Sequence, residues 1–267
     1  MPPAMGSLFW RCIREYLWRA AHARSAARVL AEAEAALAAG APGRPERLAE
    51  LRAYPWWEVR NAALKLTALE TGGSADALLC GLLHDRTDVG IVRRNAAAAL
   101  GARPASPASA AALRRGAADP YWEVRREAVW ALARVDPRSE ATFDALRAAA
   151  RRERASQVRM ALARALGATG NPEALEPLEL LSTAASWLVR LQSAVALAEL
   201  AAAVPAHRER VRAVLARMER SSEGLTGRMV LADRMAVLDA LLDTERWPAA
   251  GAVASLYFSP GTPWTRQ

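Results

Sequence analysis

The sequence predicts an all-α protein, a right-handed solenoid of about six two-helix repeats with an N-terminal capping helix. Three observations carry this. Helix-forming Ala, Leu, Glu and Arg fill nearly every segment, and no stretch alternates as a strand would. A short motif recurs: Val-Arg, then small or apolar residues, then Ala-x-x-Leu or Ala-Leu. Its valines stand at 59, 92, 124, 158 and 189, so the steps are 33, 32, 34 and 31 residues. A period near 32 holds two helices of about 12 residues and two turns. A hairpin that short cannot bury its apolar face alone, so neighbours must stack.

The copies read as follows. The first is Trp57-Glu58-Val59-Arg60-Asn61-Ala62-Ala63-Leu64, and the second is Val92-Arg93-Arg94-Asn95-Ala96, ending Ala99-Leu100-Gly101. The third is Trp122-Glu123-Val124-Arg125-Arg126-Glu127-Ala128-Val129, ending Ala131-Leu132. Val158-Arg159 with Ala165-Leu166-Gly167, and Val189-Arg190 with Ala196-Leu197, complete the regular series. Asp233-Arg234 with Leu241 is a decayed copy after a longer step of 44. The segments between copies supply the first helix of each pair. Ser106-Pro107, Asp136-Pro137 and Asn171-Pro172 each put a capping side chain before a proline, the arrangement that starts a helix. Gly72-Gly73, Gly101 and Gly167 are expected to stop helices. Pro177 is expected to kink the first helix of its pair.

The stretches Asp119-Pro120-Tyr121-Trp122-Glu123-Val124-Arg125 and Leu166-Gly167-Ala168-Thr169-Gly170-Asn171-Pro172-Glu173-Ala174-Leu175 resemble the short HEAT-like repeats of the phycobilin-lyase type. The resemblance covers about residues 45–243 and implies the stacked-hairpin architecture rather than an activity, because such repeats serve lyases, adaptors and DNA enzymes alike. Tetratricopeptide and ankyrin repeats share the period but not these residues. The organisation expected is an N-terminal helical cap and linker at 1–44, repeats at 45–243 and a tail at 244–267.

Leu8, Phe9, Cys12, Ile13, Tyr16, Leu17, Ala20 and Ala21 form an apolar stripe at helical spacing. The stripe is expected to cap the open end of the repeats. Trp10, Trp18, Arg11, Arg14 and Arg19 around it keep a membrane-surface or partner helix as the alternative. The linker Gly40-Ala41-Pro42-Gly43-Arg44-Pro45 ends this region. In the tail, Trp264 among prolines is a possible docking anchor or part of a frayed end.

The net charge of +8 permits an acidic protein, a nucleic acid or an anionic surface as partner. Lys65 is the only lysine, however, and heavy Ala and Arg use is also what a GC-rich genome produces. Two cysteines, Cys12 and Cys80, make no disulfide framework and read as core, which points to a reducing, cytoplasmic setting. No apolar stretch is long enough to span a bilayer, and the N-terminus has no secretory-signal pattern. His22, His84 and His207 lie in different repeats, so no metal site is expected, and no cofactor either. No phosphate-cradling loop or nucleophile elbow stands out, so the reading leans away from an enzyme.

Three constellations remain. The arginines Arg60, Arg93, Arg125, Arg159 and Arg190 form a ladder. Asp88, Asp119 and Glu153 precede Arg93, Arg125 and Arg159 by five or six residues and are expected to pair with them as scaffold. Arg60 and Arg190 lack such an acid and are the candidates for an outside anion. Trp57, Trp122 and Trp187 recur every 65 residues, two repeats, either as packing or as a row that grips a partner, with Trp130 able to face the groove. Arg151, Arg152 and Arg154, with Arg147 and Arg159, form a basic cluster in which only Glu153 is a counter-charge.

The function expected is a non-catalytic module that binds a protein partner on its concave face. A nucleic-acid-binding protein similar to the HEAT-like alkylpurine DNA glycosylases is one alternative. Four residues after Trp122 stands Arg126 and four after Trp187 stands Leu191, where an acid would be needed, so no catalytic residue carries over. A chromophore lyase or chaperone-like factor is the other.

Overall fold

The computed structural model describes residues 3–41, 45–70 and 73–220. Helix dominates them and no strand occurs among them. The chain divides into two compact units, residues 1–136 and the residues from 137 onward. The decayed copy at Asp233-Arg234 and the tail with Trp264 lie outside the described residues.

Unit 1 opens with α1 (Pro3–Ala38) and then runs α2 (Pro45–Arg52), α3 (Trp57–Leu69), α4 (Gly73–His84), α5 (Gly90–Ala102), α6 (Pro107–Gly116) and α7 (Trp122–Val135). The Val-Arg copies fall on α3, α5 and α7, which pack in that order side by side. α4 and α6 pack together as a second layer behind them. Unit 2 repeats the scheme with α8 (Glu140–Arg152), α9 (Ser156–Thr169), α10 (Leu175–Ser182), α11 (Trp187–Ala203) and α12 (Arg208–Arg220). There α9 packs on α11, while α10 packs on α8 and α12. Val59, Val92, Val124, Val158 and Val189 are all buried, so one position of the motif supplies the core of each repeat.

Several local expectations change. Gly101 and Gly167 end no helix; both lie inside one, near its C-terminus. Their role is close approach. A Cβ at Gly101 would stand 2.7 Å from Ala131 Cβ, and one at Gly167 would stand 3.0 Å from Ala196 Cβ. Each glycine therefore lets neighbouring second helices touch backbone to backbone. The residue that does stop α9 is Gly170, at φ +62°, in the left-handed region where a side chain is strained.

Ser106 forms the expected cap, its hydroxyl accepting from the Ser109 amide in a reciprocal box. Asn171 likewise accepts from the Glu173 amide. Asp136 instead terminates α7, and α8 begins after Ser139. Pro177 does not kink a helix. The first helix of its pair starts as a 3₁₀ turn at Pro172–Ala174, and Pro177 falls in the first turn of α10, where its missing N–H costs no hydrogen bond.

The N-terminal helix splits in function. Its regular geometry breaks at His22 (φ −126°, ψ 22°). Beyond the break, Val29, Leu30, Ala33, Ala36 and Leu37 pack with Leu48, Leu51, Val59, Ala62, Ala63 and Leu66 to close the end of unit 1. Before it, Phe9, Trp10, Tyr16 and Leu17 are exposed, as is Cys12. The cap is thus built by residues 26–37, not by the aromatic stripe, and Cys12 is not a core residue.

Candidate interaction face

The first two arginines of the ladder, Arg60 and Arg93, are buried, and their pairing runs between repeats. Arg60 donates from Nε and Nη2 to the two carboxylate oxygens of Asp88 at 3.0 and 2.8 Å. Arg93 makes the same fork to Asp119 at 3.0 and 3.1 Å. Each acid therefore serves the arginine one repeat before it, not the arginine that follows it in sequence. The remaining nitrogen, Nη1, bonds the carbonyls of the arginine's own turn: Tyr54 and Pro55 for Arg60, Asp88 for Arg93, Asp119 and Pro120 for Arg125, Ala184 and Ala185 for Arg190. The aspartates also hold the turn, Asp88 accepting from the Val89 amide and Asp119 from the Tyr121 amide. These are planar, bidentate, charge-assisted bonds in a dry setting.

This corrects the reading of Arg60. It is 2% exposed and forked onto Asp88, so it offers nothing to an outside anion. Among the described residues Arg190 has no acid but donates to two carbonyls, and its Nε is buried without a hydrogen-bond partner. Arg159, expected to be scaffold, has no acid partner among the described residues. Glu153 accepts instead from the amides of Arg154 and Ala155, both at 2.8 Å.

The basic cluster is more neutral than the local sequence suggests. Arg147 reaches Asp144 and Glu173, and Arg151 reaches Glu176 with both distances at 3.1 Å. Glu173 and Glu176 come from the next hairpin, outside the window that showed only Glu153. Arg152 and Arg154 are exposed, with Arg152 Nε on the Ala148 carbonyl.

Within unit 1, Trp57 and Trp122 stand two repeats apart. Trp57 begins α3 and Trp122 begins α7, both half-buried; between them α5 begins with Gly90. The Tyr121 ring lies where a Cβ of Gly90 would sit, so an aromatic from the next repeat covers that turn. Trp187, at the start of α11 in unit 2, is 43% exposed.

What the structure does assemble is a stack on α7. Trp122, Arg126 and Trp130 stand at i, i+4 and i+8, one above another on the helix. The Arg126 guanidinium carbon lies 5.3 Å from the Trp122 ring centroid and 5.1 Å from that of Trp130. A planar cation is thereby held between two indole faces. Its Nε is buried and has no hydrogen-bond partner. Around it the second-helix face of unit 1 carries a polar chain. Asn95 donates to Asn61 at 2.6 Å, Arg94 donates to Asn95, and Arg94 Nη1 reaches Glu123 at 3.1 Å. Glu127 lies beside them. Burial pushes its carboxyl up, against the pull of Arg126, Arg134 and Arg94.

That shift has a sign. A carboxyl whose native value is raised binds its proton more readily folded than unfolded. Its contribution is most favourable on the acid side and is lost as pH rises from the ordinary value of 4.5 through the raised one. Glu127→Gln is therefore expected to raise Tm relative to the parent increasingly as pH goes from the acid side toward neutrality. A Tm difference that is flat with pH, or that shrinks, would contradict the burial of this carboxylate.

Elsewhere the chemistry is quiet. His84 accepts from Arg115 Nε at 3.2 Å, and burial, Arg115 and Arg86 hold its imidazole below the ordinary value. Cys80 is half-buried and its thiol is pushed up by burial. Among the described residues no group of three or more His, Cys, Asp or Glu could hold a metal ion, and no helix is long and apolar enough to cross a membrane.

A family profile of HEAT repeats matches residues 44–133 and 112–198, which together span more than half of the chain. The match carries the repeat architecture and does not extend to the phycobilin-lyase type or to the DNA glycosylases. No curated protein matches the chain. The profile, the two-layer stacking of hairpins and the inter-repeat Asp–Arg ladder agree: the chain belongs to the HEAT-repeat family.

Proposed function

We propose that the protein is a non-catalytic interaction module that holds a protein partner on the second-helix face of unit 1, anchored by Trp122, Arg126 and Trp130. HEAT repeats commonly serve as protein-interaction scaffolds, because stacked hairpins present an extended face of side chains on a rigid support. The observation that carries the reading here is the Trp-Arg-Trp stack on α7, whose three side chains are each half-buried and so partly open to a partner. Aromatic and arginine side chains are the residues that dominate binding energy at protein interfaces, and rigid indoles lose little freedom on binding. The surrounding charge is mixed, with Glu123 and Glu127 among Arg94, Arg126 and Arg134. That pattern suits a peptide of mixed polarity better than a phosphate backbone, which needs an uninterrupted positive track.

The test is selection of displayed random peptides on the full chain, followed by affinity measurement on variants. Trp122→Ala and Arg126→Met are each expected to weaken a selected peptide by about tenfold or more. Peptides that bind both variants as tightly as the parent would overturn the anchor. DNA binding that weakens steeply between about 50 and about 200 mM salt would instead favour the nucleic-acid reading.

A further inference from the structure

The first part of α1 carries an apolar face that the cap does not use. Phe9, Trp10, Tyr16 and Leu17 are between 59% and 74% exposed, and none of the other large apolar side chains described is more than 45% exposed. They stand at i, i+1, i+7 and i+8, with Ile13 at i+4 between them, so they share one side of the helix. Cys12, also exposed, belongs to the same side. The Phe9 and Trp10 rings meet edge to face, their centroids 5.7 Å apart. From Phe9 to Leu17 the face runs about 12 Å along the helix axis. It is set apart from the cap. The helix breaks at His22, whose carbonyl accepts from the Ser25 hydroxyl at 2.9 Å, and Ala26 is the first buried residue of α1 among those described. An exposed apolar face of this kind marks a contact with another body.

Charge decides which body fits. Between residues 3 and 31 the sequence holds five arginines (Arg11, Arg14, Arg19, Arg24 and Arg28) against one acid, Glu15, a formal charge of +4. Arg14, Arg24 and Arg28 are exposed. A second copy of the chain would bring the same charge alongside and be repelled. A layer of anionic lipid headgroups attracts each arginine that comes near it. The apolar residues suit that layer too. Trp and Tyr, with an apolar ring and a polar tip, settle at headgroup level, while Phe, Ile and Leu reach the acyl boundary below. A fluid bilayer also takes a convex helix face without having to present a shaped groove to it. No described helix is long and apolar enough to cross a membrane, so the contact is one made along the surface.

We infer that residues 3–21 form an interfacial helix that seats the protein on a membrane surface carrying anionic lipid. Phe9, Ile13, Tyr16 and Leu17 enter the headgroup–acyl boundary, and Arg14, off the apolar face, stays among the headgroups. The attraction joins apolar burial to charge, so it is strongest at low salt and on anionic lipid.

The test is flotation of the full chain with vesicles of phosphatidylcholine alone, or with about 30% phosphatidylserine, at about 50 and about 300 mM salt. The parent is expected to float with the anionic vesicles, about tenfold or more weaker with the neutral ones, and less at the higher salt. Phe9→Ser combined with Leu17→Ser is expected to weaken flotation about tenfold or more and to leave Tm within about a degree of the parent, since both side chains are exposed. Arg14→Glu, a single surface change, is expected to weaken binding to the anionic vesicles about tenfold and to leave the neutral ones unaffected. Cys12 gives a local readout. Its alkylation by a maleimide is expected to slow about fivefold or more on anionic vesicles, while that of the half-buried Cys80 stays the same. A parent that stays off the anionic vesicles, that binds neutral and anionic vesicles equally, or that floats no better than the double variant overturns the proposal. A parent that ignores vesicles and runs as a dimer, which the double variant dissociates, overturns it in favour of a second copy.

Discussion

Asp119→Ala is expected to destabilise the protein by about 3–5 kcal/mol, the usual cost of removing one partner of a buried ion pair. For a chain of this size that reads as a fall in Tm of about 10 °C, followed by helical circular dichroism at neutral pH. The size follows from what Asp119 does at 1% exposure. It accepts the Arg93 fork, lies 2.9 Å from Arg86 Nη1, and takes the Tyr121 amide at 2.8 Å to fix the turn before α7. Alanine strands Arg93, itself 5% exposed, in a dry site with its charge uncompensated. Asp119→Asn keeps the shape and one acceptor for the turn, so its loss is expected to be smaller. Pairing Asp119→Ala with Arg93→Met is expected to recover much of the fall, since apolar replacement of a whole buried pair is often close to neutral. A single variant that melts within a degree or two of the parent would remove the ladder from the account of stability.

Gly101→Leu is expected to cost about 3 kcal/mol, at the upper end for overpacking. A Cβ there meets Arg134 Nη2 at 2.5 Å, Ala131 Cβ at 2.7 Å and Ala131 Cα at 3.0 Å. The arginine tip can swing away, but the α7 backbone cannot without separating α5 from α7. Arg134 Nε also donates to the Gly101 carbonyl at 3.2 Å, and that contact is lost with the separation. Gly81 is the internal control: it lies inside α4 and a Cβ there meets nothing within 4 Å. Gly81→Ala is therefore expected to stabilise by up to about 1 kcal/mol, because alanine is the better helix former. Thermal melts giving the two glycines the same sign would refute the close-approach reading of Gly101.

The repeat, its register and its core valines were legible because they depend on periodicity, which a sequence displays directly. The ladder was legible as residue types but not as pairs. Asp88 precedes Arg93 by five residues and looks like its partner, yet it belongs to Arg60, 28 residues back. Local spacing does not encode which face of the next hairpin comes alongside. The recurrence of acids 28 and 26 residues after Arg60 and Arg93 is the signal that would have found it. The Trp122, Arg126 and Trp130 spacing is visible too, but spacing alone does not tell an arginine stacked between two indoles from a solvated one. Gly101 and Gly167 were misread because a glycine near a helix end serves equally as a stop or as room for a neighbour, and only the facing helix decides.

The inter-repeat pairing bears on how the array folds. A hairpin that has formed without the next one carries a guanidinium already withdrawn from water and no carboxylate to meet it. Such a half-built state is penalised electrostatically, over and above its exposed apolar face. Each Asp–Arg rung therefore strengthens nearest-neighbour coupling, and a stretch of repeats joined by intact rungs, as α3 to α5 and α5 to α7 are, melts closer to a single step. Between α9 and α11 the corresponding turn position is Ala184, which supplies no carboxylate, so no such rung adds to the coupling there.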